Sequence, residues 1–117
     1  DPSAALEAVI AAGCHRVLTS GQAPNALAGA AVIARLVQQA GDRCVILAGG
    51  GVSETNVAEL VHRTGVREVH ASLRGIQGTR MTVRPPSVSL GAAPDWPADA
   101  IPVADSARVA QVKALLG

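Results

Sequence analysis

One short block recurs three times in this chain and narrows its folding options more than any other feature. It reads Gly13-Cys14-His15-Arg16-Val17, then Gly41-Asp42-Arg43-Cys44-Val45, then Gly65-Val66-Arg67-Glu68-Val69. Each copy follows apolar residues at helical spacing and opens a short run of aliphatic residues. A glycine that ends a helix, a few polar residues and a buried strand together make the αβ half of a repeating unit. Uniformly short connections of this kind join parallel strands through right-handed crossovers. The expected fold class is therefore α/β, built from parallel β/α units.

The elements can be placed from local signals. Asp1 caps a first helix, and Pro2 sits where its missing N–H costs nothing. Leu6, Val9 and Ile10 form that helix's apolar side, and Gly13 ends it. A first strand is expected near 16–20, and a helix from Asn25 to Ala40 carries Leu27, Ile33, Leu36 and Val37. The run Cys44-Val45-Ile46-Leu47-Ala48 is the clearest buried strand, near 44–48. Gly49-Gly50-Gly51 follows it, then Ser53 as cap of a helix with Val57, Leu60 and Val61. Gly65 closes that helix, and a third strand is expected near 68–72. Residues 73–104 read as a long irregular loop, rich in Gly and Pro, of a length usually found in functional covers or mobile segments. A last helix, 105–116, is capped by Asp105 and presents Val109, Val112, Leu115 and Leu116.

Three parallel strands make a poor core, because such a sheet must be covered on both faces. A closed (β/α)₈ barrel takes about 250 residues, and this chain has 117. The expectation is part of a barrel whose earlier strands lie upstream of Asp1. The alternative is a small open sheet that associates with a second copy.

Composition removes several function classes. Apolar residues make up 49% of the chain and charged residues 16%, the balance of a packed globular domain. With one Trp and neither Phe nor Tyr, it lacks the stacking platforms of single-strand binders. A net charge of +1 and scattered arginines give no field to draw nucleic acid or a membrane. No apolar run approaches the roughly 18 residues of a bilayer span, and Asp-Pro-Ser does not read as a signal peptide. Two cysteines are no disulfide framework. The expected setting is the cytoplasm, with neither nucleic acid nor membrane as partner.

In parallel α/β folds, ligands gather beyond the carboxyl ends of the strands. Those ends are expected at Thr19-Ser20-Gly21, Gly49-Gly50-Gly51 and Ser72-Leu73-Arg74. The triple glycine between a buried strand and a helix lets backbone amides approach a phosphate or carboxylate, and the helix dipole favours the negative charge. A tight turn alone would not need three glycines. The loop matches neither a Walker loop nor a dinucleotide fingerprint. His70 and Ser72 share one strand face by alternation. There His70 reads either as an acid–base or hydrogen-bonding group or as a core histidine. Arg74 and Arg80 follow the strand and are candidate anion clamps; each alone also fits a solvated loop arginine. No nucleophile–base arrangement and no paired carboxylates stand at the strand ends, with Glu54 and Glu59 placed on a helix, so whether the chain is an enzyme stays open. Cys14 and Cys44 fall at the opposite end of the strands. Soft thiols suit monovalent copper, but their spacing equally fits two free thiols.

The ordered set Leu18-Thr19-Ser20-Gly21, Ala48-Gly49-Gly50-Gly51-Val52 and Val69-His70-Ala71-Ser72 resembles the CutC family of copper homeostasis proteins. The likeness continues through Met81-Thr82-Val83-Arg84 and Val88-Ser89-Leu90-Gly91. It implies a TIM barrel of which this chain holds about strands six to eight, with the first five strands absent. It also implies a cytoplasmic role in copper homeostasis and copper as a bound ion. The strand-end positions it carries over are Thr19, Ser20, Gly49, Gly50, Gly51, His70 and Ser72. Cys14 and Cys44 match no family motif, so copper ligation does not transfer to them. Two functions follow: a copper-handling protein, or a barrel enzyme or binder for a small phosphorylated or carboxylated metabolite.

Overall fold

The computed structural model describes residues 1–78, 80, 82 and 100–117. Three strands, β1 (Arg16–Thr19), β2 (Val45–Gly49) and β3 (Glu68–His70), form a parallel sheet in the order β1-β2-β3. Four helices accompany them among the described residues: α1 (Pro2–Ala11), α2 (Ala30–Ala40), α3 (Val57–Thr64) and α4 (Ser106–Leu116). The class is α/β with parallel strands.

The caps act as their residue types require. Asp1 accepts from the Ser3 amide at 2.9 Å, and Asp105 accepts from the amides of Ala107 and Arg108. Gly65 ends α3 in the left-handed conformation, φ 70°, which a side chain would strain. Ile46 and Ala48 of β2 face the helices, as do Ile33 and Leu36 of α2 and Val57 and Leu60 of α3. Leu6 of α1 and Val112 of α4 complete this aliphatic core. Thr64 is the buried polar residue there, and its hydroxyl donates to the Leu60 carbonyl at 2.7 Å, as burial demands.

Among the described residues, only one sheet face is covered. Register places Arg16 beside Val45, Leu18 beside Leu47, Leu47 beside Glu68, and Gly49 beside His70, all on the other face. On that face Leu18 is 55% exposed. A bidentate ion pair joins Arg16 to Glu68 at 2.9 and 3.0 Å. It reaches from one edge strand across β2 to the other.

Four expectations need correction. The second helix starts at Ala30 rather than Asn25. Residues 20–29 instead form a tight loop in which Asn25 Oδ1 accepts from the Ala28 amide. The third strand stops at His70 rather than Ser72, because its partner β2 turns away at Gly50, φ 106°. The 73–104 segment is not irregular throughout: β4 (Arg74–Gly78) pairs antiparallel with β5 (Ala100–Ala104). Gly75, Gly78 and Pro102 weaken the strand signal in the sequence. Pro102 stands opposite Ile76. Finally, only Val112 of the apolar side expected for α4 is buried; Val109, Leu115 and Leu116 are exposed. Helix α3 packs on one side of α4, and one neighbour cannot cover the whole stripe.

Candidate functional site

The carboxyl ends of the three parallel strands lie side by side, as the register of Thr19 with Ala48 and of Gly49 with His70 requires. The loops that leave β1 and β2 meet there. A side chain at Gly50 would put its Cβ 3.2 Å from the Ser20 Cβ, and the Ala26 amide donates to the Gly50 carbonyl at 2.9 Å. Close approach is also why residue 29 is glycine. A Cβ there would sit 1.9 Å from the Ser20 carbonyl oxygen. Gln22 and Leu73 take positive φ, 60° and 42°, and both lie in strand-end connections. Strain of this kind persists where the surrounding structure fixes the backbone.

The triple glycine has an internal logic. Gly50 and Gly51 take φ of 106° and 66°, and their carbonyls are consumed by the protein. The Gly50 oxygen accepts from Ala26, and the Gly51 oxygen from Asn56 Nδ2 at 2.8 Å. Asn56 Oδ1 in turn accepts from the Ser53 amide at 2.9 Å. Among the described residues, neither a side chain nor a loop carbonyl accepts from the amides of Gly51 and Val52. Gly50 and Gly51 are exposed, whereas Gly49 is buried against Leu18 and His70.

The other expected site residues sort differently. Thr19 Oγ1 accepts from the Gly21 amide at 2.9 Å, and the Ser20 hydroxyl donates to the Ala23 carbonyl at 2.8 Å. Both hydroxyls shape the loop, and Thr19 shares the helix-facing side with Ala48. His70 is exposed on the open face next to Gly49. Ser72 is exposed and lies beyond the end of β3. Arg74 opens β4; its carbonyl accepts from Arg108 Nη1 at 2.7 Å. Arg80 is exposed and belongs to no element. The motif residues Met81, Val83, Arg84 and 88–91 lie outside the described residues.

One network at this end was not expected from sequence. Glu54 sits in the turn before α3, not on the helix, and its carboxylate is gripped by Arg108 of α4. Both bonds, Nε to Oε1 and Nη2 to Oε2, are 2.9 Å. The Arg108 guanidinium, and next the backbone amide of Glu54 itself, hold this carboxyl below the usual carboxylate range. The two partners stand 54 positions apart in sequence, beyond the reach of local patterning.

The two cysteines, at the amino-terminal ends of β1 and β2, lie in unlike settings. Cys14 is exposed in a turn, whereas Cys44 is buried under the helices. Among the described residues, no three His, Cys, Asp or Glu side chains gather as metal ligands. A cleft of about 280 Å³ lies at the amino-terminal ends of the strands, lined by Gly41, Asp42, Cys44, Gly65, Val66 and Arg67. That is the end away from the glycine loop.

Parallel β/α units with a glycine-rich rim at the strand ends place this chain among α/β proteins of TIM-barrel-like build, as its structural match bears out. Residues 1–75 match the CutC family, and the chain belongs to that family. Similar proteins include family protein CutC from Photobacterium profundum, 40% identical over 112 residues, covering 96% of this chain and 45% of that protein. A second is family protein CutC from Xanthomonas campestris, 56% identical over 75 residues, covering 64% of this chain and 31% of that protein. Among solved structures, a copper homeostasis protein CutC from Streptococcus agalactiae superimposes with a TM-score of 0.54 at 28% identity. That match covers 58% of this chain and 33% of the other. The chain thus spans less than half the length of these relatives.

Proposed function

We propose that this chain forms the C-terminal portion, about strands six to eight, of a CutC-type barrel serving cytoplasmic copper homeostasis. Its own site binds a small phosphorylated or carboxylated ligand at the Gly49–Gly51 rim. One observation carries the site: the carbonyls of Gly50 and Gly51 are taken up inside the protein, while the Gly51 and Val52 amides have no acceptor among the described residues. Free backbone amides in the glycine loop that leads into α3 are groups that can hold an anion, and the positive end of the helix lies further along the same connection. The bare sheet face supports the barrel reading, since Leu18 and the Arg16–Glu68 pair occupy the side that a closed barrel encloses.

Titration of the intact protein with inorganic phosphate, followed by amide NMR, tests the site. Saturable shifts are expected at Gly50, Gly51 and Val52, and Gly50→Val should abolish them. Shifts confined to the opposite end of the strands would overturn it.

The copper reading draws support from the name of the Streptococcus agalactiae relative. Cys14 is exposed and Cys44 lies in the aliphatic core, and on that contrast we place the ligands of copper bound by the intact protein elsewhere in its length. Monovalent copper affinity should be unchanged in a Cys14→Ser, Cys44→Ser double variant. A loss of tenfold or more would place the ligands here.

A further inference from the structure

The Glu54–Arg108 clasp lies three residues beyond Gly51, just before α3. An unpaired carboxylate at that position would oppose any anion on the rim. The pair differs from the other ion pairs among the described residues. Its side chains are 33% and 19% exposed, against 61% and 35% for Arg16–Glu68, 48% and 58% for Arg63–Glu59 and 49% each for Arg43–Glu7. Like Arg16–Glu68 and Arg43–Glu7 it is bidentate, the arrangement that combines strength with fixed orientation, and it is the most enclosed of the three.

The same guanidinium also reaches one further segment, and the Asp105 backbone holds that segment beside it. Arg108 Nη1 donates to the Arg74 carbonyl. The Asp105 amide donates to the Leu73 carbonyl at 2.9 Å. Asp105 Oδ1 accepts from the Arg108 amide at 3.2 Å. Gly75 packs so closely that a Cβ there would lie 3.1 Å from Asp105 Oδ2. One arginine of the last helix therefore joins the loop after β2 to the start of β4, while the Asp105 amide ties the start of α4 to Leu73.

We propose that Arg108 is a positioning residue for the glycine rim, fixing the Val52–Asn56 turn and neutralising Glu54 so that the rim accepts a small anion. This rests on the anion-site reading above. Arg108 acts through Glu54 and does not touch the ligand. Loss of the guanidinium leaves a carboxylate beside the site without its counter-charge, whereas loss of both charges leaves a neutral turn.

The test is phosphate affinity in the intact protein for Arg108→Met, Arg108→Lys, and Glu54→Gln combined with Arg108→Met. Arg108→Met should weaken phosphate about fivefold or more. Arg108→Lys, which keeps the charge but loses the second bond, should fall between it and the parent. The double variant should return to within about twofold of the parent. A tether with no electrostatic role would leave the double variant as weak as Arg108→Met. That result, or parent-like affinity in Arg108→Met, overturns the proposal. Amide hydrogen exchange without ligand supplies a separate reading. Exchange at Ser53, Thr55 and Asn56, whose amides are bonded within the turn, should speed up in Arg108→Met, and unchanged exchange there also overturns the clasp. Should the parent protein show no phosphate binding at all, the rim reading fails, while exchange still decides whether Arg108 holds the turn.

Discussion

Gly29 shows how one missing methyl group shapes the rim. The first strand's loop folds back so tightly that the Gly29 Cα lies under Gly21 and the Ser20 carbonyl. Overpacking at a site bounded by backbone costs about 1–3 kcal/mol, and here the clash falls on a carbonyl that cannot rotate away. Gly29→Ala should lower the thermal midpoint by several degrees, and a calorimetric scan matching the parent would contradict this packing. By contrast, Gly13 and Gly41 have open space where a methyl group would stand; their positive φ, 81° and 54°, is what they supply. Sequence alone marks Gly49, Gly50 and Gly51, because three glycines in a row exceed the needs of a turn. It carries no hint of Gly29, whose constraint comes from Ser20 and Gly21 folding back onto it rather than from its chain neighbours. Thr19 and Ser20 were legible as strand-end hydroxyls, but their partners, the Gly21 amide and the Ala23 carbonyl, turn them inward to the loop.

At the level of elements, the helices and parallel strands were readable because each carries its own caps and apolar spacing. The failures lie where tertiary contacts override those signals. Asn25 reads as a helix cap, yet the loop after β1 must stay unwound to reach Gly50, so α2 begins at Ala30. The β4–β5 ladder is hidden by glycine and proline in its strands. Helices α1 and α2 are joined by a polar cluster in which Arg43 donates to both oxygens of Glu7, and Gln39 donates to one. Arg43, followed by Gln39, holds the Glu7 carboxyl down to about 2, against an ordinary 4.5. A folded-state pKa below the unfolded value means that the pair's contribution is complete above pH 4.5 and fades as pH falls towards 2. The difference in thermal midpoint between the parent and Glu7→Gln should therefore shrink over that interval. A difference constant with pH would show that the pair forms no such link. Because both side chains are about half exposed, the effect is expected to be small and to weaken with salt.

At the scale of the molecule, the described residues cover the sheet on one side only. The repeated block foretells parallel units and too few strands for a closed core, and the structure shows where that shortage falls: on Leu18, Val45, Leu47 and the Arg16–Glu68 pair. In the intact barrel proposed here, that face is the interior. Leu18→Asp in the intact protein should then cost about 3 kcal/mol or more, as an unpaired charge placed in a packed core does. Near-neutral stability would mean that the face is wet. The Glu54–Arg108 link lay beyond any sequence reading, since neither residue carries a local pattern that names the other. It matters at this scale because it couples the last helix to the glycine rim.

The rim itself is most directly tested by a crystal structure of the intact protein grown with inorganic phosphate. Phosphate oxygens within hydrogen-bonding distance of the Gly51 and Val52 amides, with Glu54 still held by Arg108, is the predicted result. Those amides closed off by the protein's own acceptors, with no anion at the strand ends, would contradict it.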